Sequence, residues 1–371
     1  MNEFTYPIRL DNPRAWRTYL GGSRLDRLHG VEPGTDGHFP EEWIMSVVEA
    51  RNAGREDVKD EGLSHVFETG KTLKALIEAD PEGMLGKQFV REYGSAPGVL
   101  VKLIDSAERL TLQVHPDRPT AERLFHSRYG KTECWHILEA REVNGEEPCI
   151  YYGFKEGITK EKWKDLFDRQ DIPGMLEAMQ RFRVHPGDTV LIEGGMPHAI
   201  GAGCFLVEIQ EPTDYTVRVE RTTPSGFPVA DFLCHQGLGF EKMMDVFHYS
   251  DLSREAIREK GFLKPSVKML PGGSVATLVG YERIPYFRLD EIRTDSSVTV
   301  RDAEVFSGLY ILEGRGSLYC RDRIIPLDKA EQFFVPAGCG DMRFSARKGE
   351  ALRVLRFFGP QCHFASAEQE K

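Results

Sequence analysis

Three short segments carry the side chains best suited to chemistry. In Leu110–Pro116 (LTLQVHP) polar and apolar residues alternate. A strand puts residues two apart on one face, so Gln113 and His115 project together, and Leu112 and Val114 face the other way. In Lys131–Trp135 (KTECW) the same period groups Lys131, Glu133 and Trp135. Gly194–His198 (GGMPH) sets a histidine just after a tight turn, ahead of another strand. Taken singly, these read as a hydrogen-bonded polar pair at a strand end, a lysine–glutamate pair at a solvated edge, and an ordinary histidine. Taken together, two imidazoles, one carboxylate and one amide oxygen make four N/O ligands, a set that borderline divalent metals such as zinc accept. Further on, Glu208 and Gln210 share a strand face, and Asp214 and Arg218 follow. A carboxylate and a guanidinium near a metal could handle protons and developing negative charge; the plainer reading of each is a surface ion pair.

Ligands so far apart in the chain need antiparallel strands to bring them together. Gly98–Ile104 (GVLVKLI) is a short branched apolar run, expected as a buried strand, and Leu110–His115 is a second that ends at Pro116. Further strands are expected at 134–139, 148–153, 187–192, 198–200, 206–210 and 215–219. Two stretches change period. Residues 64–93 read as two helices broken at Asp80-Pro81, and 156–182 as helical with a break at Ile172-Pro173. Beyond about residue 250 a charged stretch and a Pro- and Gly-rich segment at 264–275 mark a domain boundary. Strands then follow at 274–281, 286–290, 309–312, 316–320, 332–335 and 352–357. This pattern suggests antiparallel sandwiches or barrels carrying helical insertions. A weak internal repeat relates GDTVLIEGGMPH (187–198) to LDKAEQFFVPAGCGD (327–341), so that Gly195 matches Gly338 and His198 matches Asp341.

Bulk properties narrow the function classes. A chain of 371 residues predicts two domains or three, and 40% hydrophobic with 29% charged residues fits an ordinary globular protein. No apolar run reaches the roughly 18–20 residues of a membrane helix, and the start, MNEFTYPIRLDNPRAW, lacks the pattern of a secretory leader. A formal net charge of −10 argues against a nucleic-acid partner, although a local basic pocket for one small phosphate is compatible with it. The seven cysteines are widely spaced without a CxxC, which points to buried thiols in a reducing cytoplasm. There is no HExxH, GxSxG, P-loop or GxGxxG.

The segments LVKLIDSAERLTLQVHPD, GKTECWHILEA and MPHAIGAGCFLVEIQEPTDYTVR closely resemble class I (type I) phosphomannose isomerases, the zinc-dependent mannose-6-phosphate isomerases, and PEEWIMS resembles the family's N-terminal tryptophan motif. The resemblance implies a mainly β protein of two cupin-type β-sandwich barrels, with helical insertions in the N-terminal part. Residues 1–250 would form the metal-binding catalytic domain, and 251–371 a degenerate barrel without ligands. It implies one zinc ion per chain, held by Gln113, His115, Glu133 and His198. The reaction implied is the reversible interconversion of mannose 6-phosphate and fructose 6-phosphate through a cis-enediol(ate). Arg218 is assigned to charge stabilisation, Lys131 and Glu208 to proton transfer, and Lys102 to substrate binding. Two departures stand out. Trp16 is followed by RTYLGG rather than directly by a glycine pair, and Ser225 occupies the position where the longer family members carry a phosphate-binding lysine. Arg221 is the substitute considered for that lysine. A metal-dependent cupin dioxygenase and a non-catalytic sugar-phosphate sensor are the competing readings; the first would consume oxygen, and the second would be expected to lack a ligand or the arginine.

Overall fold

The computed structural model describes residues 5–50, 52, 54–250 and 252–363. Met1–Phe4, read above as part of the chain start, and Asp251, first residue of the charged stretch, lie outside the described residues. The described residues form four antiparallel sheets, two of seven strands and one each of five and four.

One seven-stranded sheet is built from N-terminal strands. Its centre runs Glu41–Ile44, Leu100–Asp105, Cys204–Gln210, Glu133–Ala140 and Thr189–Ile192 in neighbouring positions. Every residue of Leu100–Asp105 is buried. The reason is that both faces of this sheet are covered. Ile104, Trp135, Ile137, Val190, Ile192 and Leu206 face the five-stranded sheet and pack with its Ile150, Phe182 and Ile200. Ile44, Val101, Leu103, Val207 and Ile209 pack on the other side with Leu289, Tyr310, Phe334, Leu355 and Phe357 of the second seven-stranded sheet. A strand buried on both faces has no need to alternate, which explains the apolar run at Val99–Ile104, broken only by Lys102, which turns to the cleft. The far face of that second sheet closes over the four-stranded one with Ile292, Leu309, Ile311, Leu318, Phe333 and Phe344. The molecule is thus mainly β, two cupin-type sandwich barrels packed sheet against sheet.

The changeover between barrels is not a clean cut in sequence. Strand Ile8–Leu10 pairs with Gln332–Phe334 in the C-terminal barrel. Strand Phe262–Leu263 pairs with Thr189–Val190 in the N-terminal one, and Ile257 of the preceding helix packs into that barrel's core. The sheets therefore change over between Leu263 and Ser266, later than the expected division at 250/251.

The helical segments differ from expectation in detail. Residues 64–93 give three helices, Leu73–Ala79, Pro81–Leu85 and Lys87–Tyr93, with 64–72 non-helical. Thr72 and Asp80 accept hydrogen bonds from Ala75 N and Gly83 N, capping the first two, and Gly86 at φ +99° separates the second from the third. In the second segment Lys160–Asp168 and Ile172–Glu177 are helices, and Met179–Arg183 is a strand paired with Cys149–Phe154, not a helical tail. Its burial alternates outward at Arg181 and Arg183, the period of a half-buried strand. Of the strand expected over 110–115, only Gln113–Val114 joins a ladder; Leu110 N and Leu112 O bond to Ile200 O and Val219 N individually.

The two halves of the weak repeat occupy matching places. Thr189–Ile192 and Gln332–Val335 each lie in a seven-stranded sheet, turn at a glycine of positive φ (Gly195, Gly338), and lead to a strand of the smaller sheet, His198–Ile200 and Met342–Ala346.

Candidate metal centre and substrate cleft

The five-stranded sheet sets out half of the site. His198 is the cross-strand partner of Gln113, and Arg218 is its partner on the other side. The GGMPH turn that delivers His198 depends on its glycines. A Cβ on Gly194 would stand 2.5 Å from the Asp117 backbone, and Gly195 has φ +85°. Gly195 N also donates to His115 O at 2.7 Å, tying the turn to the Gln113–His115 segment. The seven-stranded sheet contributes the other half. Trp43, Lys102, Glu208 and Trp135 lie in one cross-strand row, with Glu133 two residues along the same face from Trp135.

His115, Glu133 and His198 are buried with their ligand atoms within 4.8 Å of one another. Glu133 Oε2 is 3.1 Å from His115 Nε2, and Glu133 Oε1 is 3.6 Å from His198 Nε2. Each imidazole donates from Nδ1 to a carbonyl, His115 to Tyr215 O at 3.0 Å and His198 to Met196 O at 2.9 Å. That fixes the tautomer with both Nε2 lone pairs turned inward, as a metal ligand requires. Burial pushes the His115 imidazole down to about 3, helped by the Lys131 ammonium, and also pushes His198 down. Both rings are therefore neutral at pH 7. Burial alone would raise the Glu133 carboxyl, but the Lys131 and imidazole charges hold it well below the usual carboxylate range. The Gln113 amide is 3.3 Å from His198 Nε2, and turning it over presents Oε1 at the same point. Lys131 Nζ lies 2.7 Å from both His115 Nε2 and Glu133 Oε2, so a positive charge already suits these ligand atoms.

The donor set fits a zinc-type cation on a further observation. Glu133 Oε1 is buried with no hydrogen-bond partner among the described residues, a costly state for a carboxylate oxygen that a bound cation would relieve. Among the described residues six buried side-chain atoms lack a hydrogen-bond partner; those of Arg17, Glu133 and Gln210 lie in or beside this site, as does Glu208 Oε1, which has only its ion pair with Lys102 at 3.1 Å. The deficit is concentrated where a ligand would be bound.

A cleft opens next to the cluster, lined by Arg17, Tyr19, Glu41, Lys102, Gln113, Lys131, Glu208, Asp214 and Arg218, with Thr111, Thr216 and Thr223 among its hydroxyls. Lys102 Nζ sits 3.1 Å from Glu208 Oε1 and 3.9 Å from Glu41 Oε2. Glu208 Oε2 accepts from Trp135 Nε1 at 3.0 Å. Burial, reinforced by the Glu133 charge, raises the Glu208 carboxyl. Burial opposes the charge on Lys102, but Glu208 and Glu41 outweigh it and raise the lysine. Arg218 is pinned by Nη1 donating to Thr216 O and Leu233 O, and burial lowers it from its ordinary value.

The structure brings Gln113, His115, Lys131, Glu133, His198, Glu208, Lys102 and Arg218 to one place. It does not bring Arg221 there. That guanidinium lies 4.5 Å over the Phe240 ring and 3.6 Å from Asp231, on the outside of the barrel. Stacking on an aromatic face holds it away from the cleft. Two charged residues of the cleft, besides Tyr19 and the threonines, escaped the sequence reading. Arg17 follows Trp16 in the segment where the tryptophan–glycine spacing departs from the family's. Glu41 lies in PEEWIMS, where two adjacent glutamates precede a fully buried tryptophan; that unusual pairing is the signal that could have found it.

The fold is that of two packed cupin-type barrels, and in one of them a buried His–Glu–His cluster could hold a metal ion. No protein-family model matches the chain. Its similarities point further. The mannose-6-phosphate isomerase of Streptococcus mutans is 28% identical over 252 residues, 67% of this chain and 71% of that protein. The crystal structure of the mannose 6-phosphate isomerase from Bacillus subtilis superimposes with a TM-score of 0.73 at 24% identity, covering 95% of this chain and 99% of that one. The zinc-bound holo structure of a mannose 6-phosphate isomerase gives a TM-score of 0.71 at 14% identity over 96% of this chain and all of that one. In sequence and in fold the chain is similar to mannose-6-phosphate isomerases.

Proposed function

We propose that the protein interconverts mannose 6-phosphate and fructose 6-phosphate, with zinc held by Gln113, His115, Glu133 and His198. The observation that carries this is the His115–Glu133–His198 cluster, its inner lone pairs set by carbonyl bonds to both Nδ1 atoms, opening onto a cleft lined by four cations and a raised carboxyl. Zinc at such a site polarises carbonyl and hydroxyl oxygens of a substrate.

The remaining chemistry falls to the chain. An aldose–ketose conversion takes a proton from C2 and returns it at C1, or the reverse, while negative charge builds on oxygen. The raised Glu208 carboxyl, hydrogen-bonded to Trp135 and paired with Lys102, is suited to accept and return that proton. Lys131, buried between the ligands and the cleft, is the second proton carrier and shuttles to oxygen. Arg218, held by two carbonyls, offers its remaining donors to the developing charge. Lys102 and the threonine hydroxyls orient the open-chain sugar.

The C-terminal barrel, with Asp341 at the position of His198, is proposed as a domain without ligands. A cytoplasmic location is proposed because all seven cysteines are free thiols, six of them buried. Among the described residues no helix is long and apolar enough to cross a membrane.

The test is a coupled isomerase assay on mannose 6-phosphate, before chelation, after chelation, and after zinc is restored. Activity that disappears and returns supports the reading. No activity after zinc restoration sinks it. Within the site, Arg218→Ala that turns over normally with zinc bound would refute its role.

A further inference from the structure

We propose that Arg17 is a substrate-binding residue of this cleft, and that the free edge of its guanidinium takes the phosphate of a phosphorylated sugar. The inference rests on the isomerase reading and adds to it the group that recognises the anion.

Arg17 is 8% exposed, and most of its donors are accounted for. Nε donates to Glu41 Oε2 at 2.9 Å, and Nη1 donates to Trp16 O and Asn52 Oδ1, each at 3.3 Å. The plane of the head lies 5.0 Å over the Trp43 ring. Nη2 is buried and has no partner among the described residues, on a side chain that lines the cleft. A buried guanidinium with one nitrogen unpaired is expensive unless a ligand supplies the acceptor. Three fixed contacts and an aromatic face also preorganise the head, so little rotamer freedom is lost when an anion binds.

The other cations of the cleft are committed. Lys102 faces Glu208 at 3.1 Å, Lys131 faces Glu133 at 2.7 Å, and Arg218 is tied to two carbonyls through Nη1. The loop beyond Arg218 supplies no cation. Arg221 is stacked outside on Phe240, and Ser225, at the position of the expected lysine, bonds to Glu108 through both its amide and its hydroxyl. Arg17 is thus the cleft cation whose spare donor, Nη2, is buried without a partner among the described residues and is not already assigned to the developing charge, as those of Arg218 are. A planar fork pairs with phosphate oxygens in a way that a lysine does not, so the recognition chemistry differs as well as the position.

The test compares wild type with Arg17→Gln and Arg17→Lys on mannose 6-phosphate and on unphosphorylated mannose, together with inhibition by inorganic phosphate. Losing a charge-assisted hydrogen bond is expected to raise KM for mannose 6-phosphate, and the inhibition constant of phosphate, by the same factor of roughly 10 to 100 in Arg17→Gln. Arg17→Lys falls between, and kcat/KM for mannose falls by a smaller factor than kcat/KM for mannose 6-phosphate. Constants within about twofold of wild type overturn the proposal, as does an equal loss on both sugars, which would make Arg17 a positioning residue for Glu41. If Arg17→Gln does not fold, Arg17→Lys decides by the same criteria. A wild type that does not isomerise overturns the function itself. In that event the thermal shift given by millimolar inorganic phosphate decides Arg17 separately: a shift in wild type that vanishes in the variant supports it, and no shift in wild type refutes it.

Discussion

The two barrels share an architecture and differ in what they bury. The C-terminal barrel closes over Ile292, Leu309, Ile311, Leu318, Phe333, Val354 and Phe344, and its buried charges are Asp290, Glu291 and Arg356 among the described residues. The N-terminal barrel buries His115, Lys131, Glu133, His198 and Glu208 at its open end, each 4% exposed or less. His198, fully buried, has as its counterpart an exposed Asp341, which accepts from the Asp302 amide at 2.9 Å. Desolvating so many charges costs stability that an apolar core would not lose. The same fold tolerates that cost in one barrel because chemistry is done there. The other barrel buries fewer charges, with Asp290 paired to Arg288 at 2.7 Å, Glu291 paired to Arg353 at 2.6 Å, and Arg356, and its sheet packs against that of the N-terminal barrel. The contact reaches the site itself. On the strand that carries Glu41, the neighbouring Glu42 accepts from Tyr310 OH of the C-terminal barrel at 2.8 Å, and Gln332 Oε1 accepts from Met45 N at 2.7 Å.

The contrast is broken most severely by removing a ligand. His198→Ala or Glu133→Gln is expected to lower kcat by more than about 100-fold, since even outer partners of metal ligands cost that much, and steady-state assay of folded protein checks it. Lys131→Met should cost on the order of 100- to 10,000-fold in kcat, the range for a lost general acid–base group. In the other barrel, Phe344→Ala should remove about 3–5 kcal/mol of stability by leaving a cavity, read by denaturant titration, with KM unchanged.

A smaller effect appears with pH at the interface between barrels. Burial lowers His136 to about 4, with Glu291 and Arg353 nearby working in opposite directions. Its folded value lies below that of the unfolded chain, so the unfolded state binds the extra proton. The stability it contributes is present above about pH 6.5 and is lost as pH falls toward 4, up to about 3 kcal/mol. His136→Leu should flatten that slope, and a slope identical to wild type would refute the assignment. The smallest effect is expected at Asp341→Ala, about 1 kcal/mol in stability for one hydrogen bond, with kcat within twofold.

Much of this contrast was legible in the sequence. The period-two placement of Gln113 with His115 and of Lys131 with Glu133, and the glycine turn before His198, identified the ligand candidates before any coordinates. Matching Gly195 to Gly338 assigned a histidine to one barrel and an aspartate to the other. What escaped was set by tertiary pairing. Strand Ile8–Leu10 is only three residues long, and its partner lies more than 300 residues away, beyond any local signal. Whether a loop arginine turns in or out depends on a partner elsewhere in the chain. Phe240 drew Arg221 outward, whereas Glu41 and Trp43 hold Arg17 inward. The helical reading of 156–182 overran because the strand Met179–Arg183 follows a helix end directly, with no glycine or proline to mark the switch.

The central claim is that one barrel holds the metal and the other does not. Elemental analysis of zinc per chain in purified wild type, His198→Ala and Asp341→Ala tests it directly. The account predicts one zinc in wild type, one in Asp341→Ala, and none in a folded His198→Ala. Zinc retained at full occupancy in His198→Ala, or lost in Asp341→Ala, would contradict it.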